Sequence, residues 1–406
     1  MKNTVIYILI AILLLSGCTG PEMPEQTVPS TVSTTEATMP SVTQAPTTEP
    51  AEEPTTDPTE APTTEPTVPP TPAEVLLQSM TTEEKVGQLF LARCPDVGAA
   101  EDAAAYHLGG YVLFGRDFEG KDRDAVISDI ASYQEAAAIP MLIAVDEEGG
   151  IVCRVSCYSR FRESRFQSPR KLYGQGGPDL ILSTETEKIQ LLRSLGINVN
   201  LAPVCDVTTD PDAFMYSRSL GLSPEETGRV IGAMVDLMNQ SHFGGVLKHF
   251  PGYGNNTDTH VGIAVDDRSL EELESVDLVP FACGIKAGAS AIMVSHTFVN
   301  CLDTELPASL SPKVIGYLRN EMGFEGVVVT DDLVMQAITD LYGAGESAVL
   351  AVLAGNDLLC SSEYQVQYWA VLEAVENGRI SQEILDAAVL RVLNWKMSMG
   401  LLDNYA

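Results

Sequence analysis

Eight short apolar runs, each followed by a longer segment of helical character, constrain this chain more than any other feature. They cover residues 86–91, 111–114, 141–145, 197–202, 246–250, 291–294, 327–330 and 357–359. Such uniformly apolar runs are typical of strands covered on both faces, as in parallel sheets flanked by helices. Helix starts fall between them. Thr81 with Glu84 and Ser269 with Glu272 have capping-box spacing, and Ser223-Pro224 (with Glu226) and Ser311-Pro312 put a cap ahead of a first-turn proline. The alternation suits an α/β fold, a single (β/α)8 barrel of the TIM type, with a doubly wound open sheet as the alternative. The run at 86–91 also reads as a continuation of the helix opened at Thr81.

Polar residues at the ends of the runs favour the barrel. Asp146 ends the third, Asp206 follows the fourth, Lys248 and His249 end the fifth, His296 follows the sixth and Asp331 the seventh. In a barrel the strand C-termini meet on one face, where such folds carry their sites. Solvated turns would not explain so many polar side chains converging on one mouth.

The chain has 24 Lys+Arg against 56 Asp+Glu, a formal net charge of −32. No basic surface exists to neutralise phosphates, which excludes nucleic acid as a partner, or to adhere to an anionic membrane by charge. Residues 1–17 read as a secretory signal, with Lys2 followed by an apolar core shorter than the roughly 20 residues that span a bilayer. Leu15-Ser16-Gly17-Cys18 resembles a bacterial lipobox, in which Cys18 becomes the lipidated first residue. Residues 18–74 form a Thr/Pro/Glu-rich linker holding 13 of the 24 prolines, with almost nothing apolar to bury, so it is expected to be disordered. The globular body is expected over 75–406. These features place the protein on the outer face of a bacterial membrane, held by lipid alone. The body's seven cysteines are an odd, scattered set without zinc spacing, better read as free thiols than as a framework, although Cys153 and Cys157 lie close enough to pair.

Three segments carry chemistry: Val145-Asp146-Glu147-Glu148-Gly149-Gly150 with Arg154 beyond it; Lys248-His249-Phe250-Pro251-Gly252-Tyr253-Gly254 followed by Asp258-Thr259-His260; and Thr330-Asp331-Asp332-Leu333-Val334-Met335. With these motifs the chain resembles family 3 glycoside hydrolases, specifically their single-domain β-N-acetylglucosaminidase branch, from about residue 75 onward. Retaining glycoside hydrolysis needs a carboxylate nucleophile and a proton donor for the leaving oxygen. Asp331 and Asp332 point to opposite sides if strand geometry persists, and the resemblance selects Asp331 as the nucleophile. The single-domain branch that the chain resembles takes no carboxylic acid from a C-terminal domain, and the resemblance assigns proton transfer to His260, oriented by Asp258. An imidazole exchanges protons near neutrality, and a partner carboxylate stabilises its charged form.

The resemblance further implies a carbohydrate partner, a β-linked N-acetylglucosaminide of the kind found in muropeptides. It implies sugar contacts from Asp146, Arg154, Arg218, Lys248 and His249, and no metal or organic cofactor. Asp206 and His296 read as organisers of the mouth. Two departures stand out: Tyr253 replaces a usual histidine, altering a hydrogen-bond partner in its loop, and Ile151 replaces a usual arginine. The basic segment at 157–177, with Arg160, Arg162, Arg165, Arg170 and Lys171, fits an anionic aglycone and a solvated loop equally.

The lipobox reading predicts that Cys18→Ala abolishes incorporation of labelled palmitate and moves the protein from the membrane fraction to the medium.

Overall fold

The computed structural model describes residues 69–254, 256 and 262–405. Cys18, the signal segment and nearly all of the linker, together with Asp258 and His260, lie outside the described residues. Eight parallel strands form one sheet: β1 (Phe90–Arg93), β2 (Gly110–Leu113), β3 (Leu142–Val145), β4 (Val199–Asn200), β5 (Gly244–Phe250), β6 (Ala291–Val294), β7 (Val327–Thr330) and β8 (Leu359–Ser361). Each strand pairs with its neighbours in chain order, and β1 pairs with β8. The ring closes where Leu358 N–H donates to Val328 O at 3.1 Å and Thr330 N–H donates to Leu358 O at 3.0 Å. Sequential order with closure is the (β/α)8 barrel and excludes the doubly wound sheet, whose order reverses at a switch point.

Burial on both faces explains the continuous apolar runs. Alternate residues such as Leu91, Val112, Leu142, Val246 and Val329 fill the interior, while Phe90, Tyr111, Ile143 and Val145 pack outward against the helices. Val392 and Trp395, from the helix Gln382–Ser398, join the interior cluster and close the end opposite the strand C-termini.

Three boundaries differ from expectation. Residues 86–88 belong to the capped helix Thr82–Gln88, and the strand begins only at Phe90. The last strand starts later than the apolar run, because buried Asp357 is held ahead of it by Arg319 at 2.5 Å and Arg391 at 2.9 Å. The body also begins before residue 75. Thr71 caps the helix Pro72–Ser79 with a reciprocal box to Glu74, and Ala73 and Leu77 are buried. A boundary drawn from composition alone passes through this helix, because its first turn still has the linker's Thr-Pro-Glu character.

Lys396 is fully buried in the helix that closes the barrel, where its Nζ donates to Gln88 Oε1 at 2.6 Å. Burial lowers its ammonium to about 7. The unfolded chain keeps this proton up to about 10. Between those two values the unfolded state binds more protons, so this residue's contribution to stability rises with pH across that window and is flat below it. Lys396→Met is therefore expected to be more stable than the parent at pH ~7, with the difference shrinking toward pH ~10 in denaturant titrations.

Candidate active site

The interior rows of the barrel determine what projects from its C-terminal mouth. Side chains alternate along a strand, so the residue two beyond the last interior apolar position again points inward. Arg93 extends the row of Leu91, Asp146 that of Ala144, Lys248 that of Val246 and Asp331 that of Val329. These four, with Glu148, Arg154, Arg218, His249 and Cys360, line a cleft of about 670 Å³.

Its centre is an ion cluster. Lys248, 2% exposed, donates from Nζ to Asp146 Oδ1 and to Glu148 Oε1, both at 2.7 Å. Arg218 grips Glu148 with two bonds, Nε to Oε2 at 3.0 Å and Nη2 to Oε1 at 2.7 Å. Burial by itself would raise the Glu148 carboxyl, but Lys248 and Arg218 outweigh it and hold it well below the usual carboxylate range. Burial likewise works against the Lys248 ammonium, and Asp146 and Glu148 more than offset it. Arg154 approaches Asp146 more loosely, at 3.9 Å, with its guanidinium 5.8 Å from the Phe114 ring, which also carries Arg93 at 4.7 Å.

His249 forms the second unit. The Lys248–His249 peptide is cis, and both side chains line the cleft. Arg218 Nη2 lies 3.2 Å from His249 Nε2 and can only donate, which makes Nε2 the acceptor. The ring proton is thereby assigned to Nδ1, which donates to Asp206 Oδ2 at 2.9 Å. Buried Asp206 also receives the N–H groups of His249 at 3.1 Å and Tyr253 at 2.8 Å. Burial would raise the Asp206 carboxyl, and His249 together with these donors brings it below its ordinary value.

The Asp331–Asp332 pair is separated by its bonding. Asp332 accepts from Ser362 Oγ at 2.5 Å and from the N–H groups of Ser362 at 3.1 Å and Val334 at 3.2 Å. Asp331 is anchored through its N–H to Val294 O at 3.0 Å, and its Oδ1 accepts the Asp332 N–H at 2.9 Å. His296, fully buried, braces this turn from below, with Nε2 donating to Asp332 O at 3.0 Å and Nδ1 2.7 Å from Ser309 Oγ.

Among the described residues, the structure brings Asp146, Arg154, Arg218, Lys248, His249 and Asp331 into one cleft. Sequence reasoning missed Glu148, although its parity with Asp146 was a usable signal. Glu147, of opposite parity, is buried and accepts the N–H groups of Arg154 at 2.9 Å and Val155 at 2.8 Å, shaping the loop that carries Arg154. Arg93 and Phe114 were also missed.

The basic segment is largely used within the fold. Arg162 pairs with Glu187 at 2.9 Å, Arg160 donates to Gly120 O at 2.5 Å, and Arg170 stacks 3.9 Å from the Tyr216 ring while bonding Tyr216 O, Thr208 O and Ser219 Oγ. Arg170 therefore braces the loop bearing Arg218, a role neither expectation contained. Tyr253 is buried, with its ring edge-on to His249 at 5.2 Å, whereas Ile151 is exposed at the cleft. Cys153 and Cys157 are both free.

A closed parallel barrel with a carboxylate and a charge-balanced binding cluster at its C-terminal mouth defines a barrel enzyme. The sequence matches Glycosyl hydrolase family 3 N terminal domain over residues 81–395. A protein named Beta-hexosaminidase from Xylella fastidiosa (strain M23) is 37% identical over 309 residues, 73% of this chain and 87% of its own length. Beta-hexosaminidase LpqI of Mycobacterium tuberculosis is 30% identical over 343 residues, 78% of this chain and 83% of its own. Among solved structures, a family 3 β-N-acetylglucosaminidase from Paenibacillus sp. str. FPU-7 superposes with a TM-score of 0.75 at 34% identity, covering 80% of this chain and 63% of that one. A β-N-acetylhexosaminidase from Beutenbergia cavernae gives 0.70 at 29% identity, over 78% and 99%. The chain belongs to glycoside hydrolase family 3 and is a glycoside hydrolase.

Removing Glu148 would take one of its two carboxylate partners from buried Lys248 and the two-bond partner from Arg218. Glu148→Ala is expected to cost about 3–5 kcal/mol of stability, as for other broken buried pairs, measurable by denaturant unfolding.

Proposed function

We propose that the protein is a retaining exo-β-N-acetylhexosaminidase that releases terminal N-acetylglucosamine from peptidoglycan-derived fragments while tethered by lipid at Cys18 to the outer face of a bacterial membrane. The observation that carries the catalytic part is the placement of Asp331 in the same cleft as the Lys248–Asp146–Glu148–Arg218 cluster. The names of the similar proteins support the substrate, and the lipobox and linker support the tether.

In this reading Asp146, Lys248, His249 and Arg154 hold the hydroxyls of the terminal sugar. Lys248 and Arg218 keep Glu148 charged, so the cluster offers fixed donors and acceptors that need no rearrangement as the transition state forms. Asp331 attacks the anomeric carbon while His260, oriented by Asp258, protonates the departing oxygen. Water, deprotonated by the same imidazole, then releases the sugar from Asp331 with net retention. His249 is engaged at both ring nitrogens, by Arg218 and by Asp206, which suits it to binding rather than to proton transfer.

Side-by-side assay on chromogenic β-N-acetylglucosaminide and β-glucoside tests the assignment. Turnover of the acetylated sugar is expected, with losses of about 10²–10⁴-fold in His260→Ala and at least as large in Asp331→Asn. Activity on the glucoside alone would retain the mechanism and change the substrate. Silence on both, with sugar binding intact, would make the protein a wall-binding module.

A further inference from the structure

Below the turn that follows β5 lies a charged cluster with no part in the chemistry described so far. Arg268 donates from Nη2 to Asp266 Oδ2 at 2.6 Å, from Nε to both Asp266 oxygens at 3.0 and 3.1 Å, and from Nη1 to Asp277 Oδ2 at 2.5 Å. Asp266 is 3% exposed and Asp277 is fully buried. Asp277 Oδ1 finds no hydrogen-bond partner among the described residues. Burying two carboxylates around one guanidinium, with one oxygen unsatisfied, is a poor way to gain stability.

The cluster's neighbours suggest what it does instead. The turn Pro251-Gly252-Tyr253-Gly254 rests directly on it. Gly252 has φ +121°, and a Cβ there would come within 2.5 Å of Asp277 Oδ1. Gly254 has φ +55°, and a Cβ there would overlap the Arg268 guanidinium. Only glycine combines these backbone angles with so close an approach. The same turn is tied from the cleft side by the Tyr253 N–H to Asp206.

Asp266 lies at the other end of the intervening segment. The strand Val265–Asp266 pairs in parallel with Phe298–Val299, with the Asn300 N–H donating to Asp266 O at 2.9 Å. Asp277 immediately precedes the helix Leu278–Lys286, which packs on β5. Arg268 thus bonds the exit at Asp266 to Asp277, and its guanidinium lies against the entry at Gly254. The chain between these ends contains Asp258 and His260.

We propose that Arg268 is a positioning residue for proton donation. By tying Asp266 to Asp277 beneath Gly252 and Gly254, it fixes the two described ends between which Asp258 and His260 lie in the sequence. The inference rests on the reading of His260 as that donor.

A structural role alone would lower all activity together, whereas a positioning role acts only where a proton must be delivered. The test compares kcat/KM of the full chain on two β-N-acetylglucosaminides, one with a dinitrophenyl leaving group that departs unprotonated and one with an alkyl group that requires protonation. Arg268→Gln is expected to lose roughly 10²-fold on the alkyl substrate, the scale of a small misplacement, and little on the dinitrophenyl one. Arg268→Lys is expected to recover part of the loss. If Arg268→Gln fails to fold, Arg268→Gln with Asp277→Asn removes the unpaired buried charge and permits the same comparison. His260→Ala serves as the reference. If it shows the leaving-group dependence and the folded Arg268 variant does not, positioning by Arg268 is wrong. If His260→Ala loses both substrates equally, the donor assignment fails and the inference falls with it.

Discussion

Closure of the parallel sheet between β7 and β8 is the constraint on which the rest of the molecule depends. Few hydrogen bonds make it, chiefly those linking Val328, Leu358 and Thr330, but they turn a sheet with two open edges into a ring. In a ring, alternate residues of every strand point inward and the C-terminal ends share one rim. Arg93, Asp146, Lys248, Asp331 and Cys360 are the uppermost members of interior rows otherwise filled by Leu, Val, Ala and Met. The site is where the hydrophobic core ends.

That placement creates an electrostatic problem at the rim, and the ion cluster resolves it. Lys248 is nearly as buried as the apolar side chains below it, and an unpaired ammonium there would be strongly disfavoured. Asp146 and Glu148 provide two acceptors at 2.7 Å, and Arg218 balances the second. A second layer holds these groups in place. Asp206 orients His249, Glu147 shapes the loop of Arg154, Arg170 braces the loop of Arg218, and His296 supports the turn of Asp331. Each is a buried or half-buried polar contact, and together they hold the charged groups of the cleft in one arrangement.

Asp331 and Asp332 illustrate how environment separates identical side chains. Both line the cleft, yet Asp332 is committed to Ser362 and Val334 and its carboxyl is raised by burial. Adjacent residues on a strand face opposite ways, so only one can extend the interior row. Tyr253 shows the converse. In sequence it read as an altered hydrogen-bond partner; in the structure its buried ring packs on His249 while its N–H donates to Asp206.

The sequence by itself determined the strand–helix alternation, most helix starts and the polar residues at the strand ends, because these follow from local periodicity and capping chemistry. It located Asp146, Lys248, His249 and Asp331 because each ends or follows an apolar run. It did not show that Glu148 carries the charge balance of the site, that Arg218 engages Glu148, or that the basic segment is mostly consumed by Glu187, Tyr216 and neighbouring carbonyls. Composition drew the start of the body at residue 75, whereas packing against the last long helix begins it at Pro72. Which charge meets which was decided only when the barrel closed, because ion pairing inside a protein depends on distance and burial, and both are set by segments 70 or 102 residues apart in the chain.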